Sequence, residues 1–141
     1  MRVLQAFETS AKLIDEGRTC EIEFEGKVIA TVQVRPADAM LNPDYRKHIA
    51  ELSIDASRLN GADAIDAVQD QDFLYQLYAR AVVTGWEWSD PEDRKATSLR
   101  FNEKNAVALF KRAPKFFEAI QLAARQWSHY RAAHEEKAAG N

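Results

Sequence analysis

The sequence has little of what a disulfide scaffold, a membrane span or a phosphate-binding loop requires. It contains one cysteine, Cys20, so neither an intrachain disulfide nor a thiolate-rich metal site can form. No stretch approaches the roughly 20 apolar residues of a transmembrane helix, and no apolar signal-peptide segment follows Met1. The glycines are isolated from one another, which excludes glycine-rich phosphate loops. We therefore expect a soluble protein of a reducing cytoplasm.

Size and charge indicate an ordinary globular protein. The 141 residues include 19 basic and 22 acidic side chains, for a net charge of −3. This balance argues against a dedicated nucleic-acid-binding protein, because phosphate binding needs a basic surface. The hydrophobic fraction of 46% supports a packed core. We predict one domain over residues 1–141, since two domains would both be undersized.

Alternating residues predict a β-hairpin over about residues 19–35. Ile22 and Phe24 alternate with glutamates, a Glu-Gly-Lys turn follows, and the next segment is rich in β-branched residues. Four residues of the second strand are expected to share one face: Val28, Ala30, Val32 and Val34. The hairpin edge at these four residues is a second candidate binding site, which could pair with a strand of a client protein or of a second copy.

Helix signals fill the chain from about residue 43 to 137, and a frayed tail is expected at 138–141. Asn42 and Pro43 are typical of a helix cap and a first helical residue. Asn102 is a second predicted cap. We predict an α+β fold that is mostly helical, with a small antiparallel β-hairpin near the N-terminus.

The later helices are expected to supply most of the core. An apolar stripe over 64–83 predicts a helix ended by Gly85, and the polar segment 89–100 predicts a surface loop. A last helix is expected to run from Pro114 to about Lys137. The predicted core residues are Phe73, Leu77, Trp86, Phe116, Ile120 and Trp127.

No catalytic or metal-binding motif is recognisable. His129 and His134 are five residues apart, which places them about 140° apart around a helix, so they cannot hold one metal without distortion. Cys20 begins a strand and has no flanking catalytic signature. We therefore predict a protein that is not an enzyme and has no cofactor or metal.

Three segments follow one another in a distinctive order. Residues 82–90 contain a Gly-Trp turn at a predicted helix end, 99–106 contain a Phe before a polar helix start, and 114–120 contain Pro114 and a Phe-Phe-Glu-Ala-Ile run. With the Val-Arg-Pro strand end and the helix start at Asn42, this order resembles the tail assembly chaperones of long-tailed bacteriophages. The resemblance covers roughly residues 17–130.

The resemblance implies a non-catalytic protein that holds the tape measure protein during tail assembly in the host cytoplasm. It also implies absence from the finished tail, and leaves binding of the major tail tube protein and self-association open. The alternatives are a structural component retained in the tail and a small nucleic-acid-associated binding module. No membrane partner is expected.

The expected binding residues lie at the margin of the core. Phe116 and Phe117 are about 100° apart around their helix, which places Phe117 beside the apolar seam. The residues predicted to bind a partner are Trp88, Phe117, Leu122, Arg125 and Tyr130.

Overall fold

The described part of the chain folds as a three-stranded antiparallel sheet with helices packed against it, which confirms the predicted α+β class. The computed structural model describes residues 2–57, 71–96 and 99–134. The first elements are α1 (Arg2–Phe7), α2 (Ala11–Glu16), β1 (Arg18–Phe24) and β2 (Lys27–Val34). Then follow α3 (Pro43–Ser57), α4 (Gln71–Ala81), β3 (Val83–Trp88), α5 (Pro91–Lys95), α6 (Glu103–Arg112), α7 (Pro114–Arg125) and a 3-10 helix (Trp127–Tyr130). Part of the predicted helix over 64–83 and the tail at 138–141 lie outside the described residues.

The second strand of the hairpin is the centre of the sheet. The strand order is β1-β2-β3, and Val32 of β2 lies between Cys20 of β1 and Trp86 of β3. The helix predicted to reach Gly85 ends at Ala81, and the chain continues as β3. Strand β3 was not predicted, because a glycine after an apolar helical stripe is typical of a helix end, although Val, Thr and Trp favour extended backbone.

One buried asparagine joins three elements. The Oδ1 atom of Asn42 accepts a hydrogen bond from the Tyr45 N–H at 3.1 Å, which confirms the predicted cap of α3. Its Nδ2 group donates to the carbonyls of Pro36 at 3.0 Å and Ala81 at 2.8 Å. Asn42 therefore ties the segment after β2, the start of α3 and the end of α4 together.

An aromatic group occupies the interface between α4, α6 and α7. The ring of Phe117 lies 4.8 Å from that of Tyr75, 4.8 Å from that of Phe110 and 5.0 Å from that of Tyr78. Phe117 is only 3% exposed, so its predicted place at an accessible margin is wrong. The buried face of α7 is therefore wider than the single apolar seam of the prediction, because it includes Phe117 as well as Phe116.

Three of the predicted core residues are buried: Leu77, Phe116 and Ile120. Phe73 is half-buried on α4. Trp86 is partly buried and packs against the core.

The predicted last helix ends at Arg125, so the prediction is wrong over residues 126–130, and its part over 135–137 lies outside the described residues. The Gln126 backbone (φ −89°, ψ 84°) leaves the helix, and a 3-10 helix follows from Trp127 to Tyr130. Tyr130 is fully buried, and its hydroxyl donates to the Val34 carbonyl at 2.8 Å. This contact holds the chain that follows the break against the end of β2. Trp127, predicted as core, is 39% exposed as a consequence.

The predicted loop over 89–100 contains a short helix, α5. The Asp90 side chain caps it by accepting from the Glu92 N–H at 2.9 Å, and Pro91 is its first residue. The sequence Asp90-Pro-Glu-Asp is typical of a capped helix start and is the signal that predicts α5. The predicted cap of α6 is confirmed, since Asn102 accepts from the Asn105 N–H at 2.8 Å.

Candidate partner-binding surface

Large apolar side chains lie exposed on the first helix. Val3, Leu4 and Phe7 of α1 are each more than half exposed, and their spacing places them on one side of the helix. Trp127 of the 3-10 helix joins them through its contact with Phe7. We call Val3, Leu4, Phe7 and Trp127 the N-terminal apolar surface. A group of exposed apolar side chains of this kind is typical of an interaction site.

The two aromatic rings of this surface are stacked. The ring centroids of Phe7 and Trp127 are 5.6 Å apart and their planes differ by 10°. Stacking holds both rings in one orientation while leaving Phe7 64% exposed. The surface therefore offers a partner rigid aromatic rings that lose little conformational freedom on binding.

Backbone contacts bring the two ends of the described chain together at this surface. The Ser10 N–H donates to the Tyr130 carbonyl at 2.7 Å, and the Ala132 N–H donates to the Glu8 carbonyl at 2.9 Å. Thr9 and Arg131 form an isolated antiparallel bridge between them. These contacts position α1 against the 3-10 helix and so place Phe7 beside Trp127.

A buried arginine anchors the N-terminal segment to the body of the protein. The Arg35 Nε atom donates to the Ile14 carbonyl at 2.9 Å, and its Nη1 atom donates to Asp44 Oδ2 at 2.7 Å. The hydrogen bond from Arg35 lowers the pKa of Asp44 below its ordinary value. These contacts join α2 to α3 across the end of β2 and so hold the N-terminal segment against the rest of the protein.

Two basic side chains, Arg18 of β1 and His129 of the 3-10 helix, contact each other. Arg18 Nη1 lies 2.7 Å from His129 Nδ1, and the His129 ring lies 6.1 Å from the His134 ring. A guanidinium only donates, so His129 accepts at Nδ1 and is neutral, with its proton on Nε2. Burial, then the charges of Arg18 and His134, lower the pKa of His129. Over residues 2–57, 71–96 and 99–134, no ion pair joins Arg18 or His129 to a carboxylate.

The residues predicted to bind a partner do not form one exposed surface. Phe117 lies in the core, and Tyr130 is fully buried, so the prediction is wrong in placing these two side chains at the surface. Trp88 is half-buried, stacks on Phe116 at 5.5 Å and donates from its indole N–H to the Leu99 carbonyl. Leu122 is 59% exposed.

Arg125 is also exposed, but its charge acts on two tyrosines of the helices beside it. Burial raises the pKa of Tyr78 to about 12, and the Arg125 guanidinium opposes that shift. Burial also raises the pKa of Tyr45, again against the charge of Arg125. A binding role for Leu122 and Arg125 stays a prediction.

The predicted hairpin edge is not available for pairing with another protein. Ala30, Val32 and Val34 are fully buried and Val28 is half-buried, and β3 pairs with the side of β2 that the prediction left open. The prediction is wrong because the chain supplies the third strand itself. The outer edge of the hairpin belongs to β1.

The N-terminal apolar surface was missed because residues 1–16 show no motif. Two signals were nevertheless present. Val3, Leu4 and Phe7 have helical spacing, and Ser10 is a helix cap whose side chain accepts from the Leu13 N–H at 3.1 Å. The proximity of Trp127 to Phe7 had no sequence signal, since it depends on the break after Arg125.

Neither a metal site nor a membrane span is found in the part of the chain that the structure describes. There, no three His, Cys, Asp or Glu side chains are grouped to hold a metal ion. No helix within the same residues combines the length and apolar character needed to cross a membrane. His48 contacts Glu51 on its own helix at 3.0 Å.

Comparison with known proteins gave one finding. A family model described as YdaY prophage protein matches residues 40–141. The curated proteins and the solved structures gave no significant match. The matched range includes Trp127 and His129 and excludes Phe7 and Arg18, so the apolar surface combines residues from inside and outside it.

Proposed function

Because the chain belongs to the YdaY prophage protein family, we propose that it is a non-catalytic chaperone of phage tail assembly. Its client in this proposal is the tape measure protein, held in the host cytoplasm until tail tube subunits polymerise around it. The family membership supports a phage origin. The resemblance of residues 17–130 to tail assembly chaperones supports the more specific role.

One structural observation carries the proposal: the exposed Phe7–Trp127 stack with Val3 and Leu4 beside it. A chaperone for an aggregation-prone helical client has to cover apolar side chains of that client reversibly. Apolar area removed from water contributes about 25 cal/mol per Å², and a small surface therefore binds weakly. Several copies along a long client would reach high overall affinity through multivalency.

Co-expression of the full chain with the tape measure protein of the same prophage tests the proposal. We expect affinity capture to recover a soluble complex, and light scattering to show several copies of this chain per client. The client expressed alone should precipitate. A client that precipitates equally in the presence of this chain would contradict the proposal.

A matched pair of variants tests the surface itself. Phe7 is 64% exposed and Phe24, at the hairpin turn, is 63% exposed, so truncating either removes a similar exposed ring. We expect Phe7→Ala to lower client capture about thirtyfold, because truncating a binding hot spot costs about 2 kcal/mol. Phe24→Ala should capture the client like the unmodified chain. Equal loss in both variants would mean that the N-terminal apolar surface is not the binding site.

The location of the protein after assembly separates a chaperone from a structural tail component. We expect it in lysates of induced cells and not in purified particles. Its presence in particles at a fixed copy number would favour the structural role. Binding of the tail tube protein can be measured in the same co-expression system.

A further inference from the structure

We propose that the outer edge of β1 binds an extended segment of another protein as a fourth strand of the sheet, and that apolar residues of this segment alternate with lysine or arginine. The open backbone of β1 and the carboxylates on its exposed face carry the inference. This edge is separate from the N-terminal apolar surface, and its role does not rest on the function proposed above.

Strand β1 lies at one end of the sheet and pairs on one side only. The strand order is β1-β2-β3, so β2 is the neighbour of β1. Over residues 2–57, 71–96 and 99–134, the backbone of β1 hydrogen-bonds to no segment other than β2. Every second residue of an edge strand turns its N–H and C=O groups away from the sheet. Those groups are able to pair with an added strand.

The regular part of the ladder sets the length of the site. Pairing between β1 and β2 is regular over residues 18–22, and the register shifts between Ile22 and Glu23, where Ile29 of β2 has no partner in β1. A bulge of this kind bends and twists the strands. The regular part of about five residues spans about 17 Å, which is an ordinary length for a strand.

The two faces of β1 differ in chemistry. Ile22 belongs to the core on the helix side, and Cys20 packs against the same core. Thr19, Glu21 and Glu23 alternate with these two and are exposed on the other face. An added strand continues both faces of the sheet. Its residues beside Cys20 and Ile22 therefore meet apolar neighbours, and those beside Glu21 and Glu23 meet carboxylates.

The carboxylates on this face have no basic partner in the described part of the chain. None of the ion pairs there includes Glu21 or Glu23. Arg18 is the basic residue of β1, and its guanidinium contacts His129 of the 3-10 helix at 2.7 Å. The exposed face of the strand is therefore acidic, and its charge is available to a partner.

This charge decides which strand fits the edge. Opposite charges on neighbouring strands stabilise their pairing, and like charges directly opposite destabilise it. Antiparallel pairing of two copies of β1 centred on Glu21 or Ile22 places glutamates opposite each other, so a second copy is disfavoured. The phosphates of a nucleic acid would also be repelled. Lysine or arginine at alternate positions of the added strand complements the edge.

Two designed peptides provide the first test, titrated by calorimetry into the full chain. One alternates valine with lysine over seven residues, the length of β1, and the other has glutamate in place of lysine. We expect the lysine peptide to bind at least about fivefold more tightly, because two cross-strand charge pairs are attractive in one complex and repulsive in the other. Its advantage should shrink as salt is added. Equal binding, or tighter binding of the glutamate peptide, would overturn the proposal.

Backbone methylation distinguishes strand pairing from general charge attraction. In an added strand, alternate residues turn their N–H groups toward β1 and the others turn theirs to solvent. Two versions of the lysine peptide therefore carry N-methyl groups, one at its valines and the other at its lysines. We expect one version to lose at least about tenfold in affinity, because several hydrogen bonds are removed, and the other to bind like the parent peptide. Equal effects of the two methylations would reject pairing at a strand edge.

Variants show which edge of the sheet is used. Glu21→Lys should reverse the preference between the lysine and glutamate peptides, and the milder Glu21→Gln should abolish most of it. Glu87→Lys is the matched control, because Glu87 is exposed on β3 and lies in the same row of the sheet, with Thr31 of β2 between it and Glu21. Two strand spacings separate the glutamates by about 10 Å, so the control should change the preference less than about twofold at physiological salt.

The variants also define the results that would reject the site. An unchanged preference in Glu21→Gln protein whose circular dichroism matches that of the unmodified chain would reject the edge of β1. Equal effects of Glu21→Lys and Glu87→Lys would attribute the preference to net charge. These measurements use no tape measure protein, so their outcome is independent of the co-expression test.

Discussion

Two groups of aromatic rings in this protein have similar contacts and opposite relations to water. Phe110 and Phe117 meet at 4.8 Å inside the helical layer, and Phe7 and Trp127 meet at 5.6 Å on the outside. Phe110 is fully buried, whereas Phe7 is mostly exposed. Ring contact alone therefore does not indicate a core. The inner group contributes its burial to folding, and the outer group keeps its apolar area available for a partner.

The polar groups of the same two regions show the same contrast. Inside, Asn42 has both its oxygen and its amide nitrogen satisfied by backbone partners. Outside, Arg18 and His129 are two basic groups in contact without a carboxylate among the described residues. A folded interior requires satisfied polar groups, whereas water can satisfy the remaining donors of a partly exposed pair.

The largest expected effect is the loss of an interior ring. Phe110→Ala should lower the free energy of unfolding by about 3–5 kcal/mol, because it removes a fully buried ring and leaves a cavity. Urea unfolding followed by circular dichroism measures this. The exposed counterpart Phe24→Ala should stay within about 0.5 kcal/mol of the unmodified chain. A small effect of Phe110→Ala would mean that the inner group is not the core.

The second-largest effect concerns the buried side chain of Asn42. Asn42→Ala should cost about 2–4 kcal/mol, since it removes a helix cap and leaves two buried carbonyls without their donor. Asn102→Ala is the matched control, because Asn102 is an exposed cap with one such contact. It should cost about 1 kcal/mol. Equal costs in the two variants would show that the contacts to Pro36 and Ala81 do not contribute.

The third prediction tests whether the outer rings are coupled in solution. A double-mutant cycle of Phe7→Ala and Trp127→Ala should give a coupling of about 0.5–1.5 kcal/mol, as expected for a stacked pair. The same unfolding measurement provides all four values. A coupling of zero would mean that α1 does not rest on the 3-10 helix, and the N-terminal apolar surface would have to be redefined.

The smallest effect is a pH dependence at the basic pair. The pKa of His129 is below the ordinary 6.5 in the folded chain, so the unfolded chain binds this proton more readily. The stability that neutral His129 provides is therefore lost as pH falls from 6.5 toward its folded pKa. NMR titration of the imidazole signals measures the pKa, and Arg18→Gln should raise it. A His129 pKa above 6.5 would contradict the contact with Arg18.

The local signals in the sequence predicted local structure well. Asn42 and Asn102 cap helices as predicted, and Pro114 begins one. Alternation over the hairpin predicted which face of β2 is buried. These predictions succeed because capping and strand alternation depend on residues within a few positions of each other.

The candidate site was predicted less well, because exposure depends on distant parts of the chain. Phe117 and Tyr130 were expected at the surface and are buried, and Trp127 was expected in the core and is exposed. An apolar stripe in a helix predicts which side chains share a face. It does not predict how much of the helix surface the neighbouring elements bury. The break after Arg125 changes the direction of every later side chain.

The sequence by itself determined the α+β class, the hairpin and the principal helix caps. Tertiary structure alone decided that β3 closes the free side of β2 and that Tyr130 is held by the Val34 carbonyl. It also decided that Phe7 meets Trp127, a contact between residues at opposite ends of the described chain. The physical reason is the range of the forces involved. Helix caps and apolar periodicity depend on residues within one or two turns of each other. The burial of a side chain depends on which distant segments pack against it, and that is decided only in the folded protein.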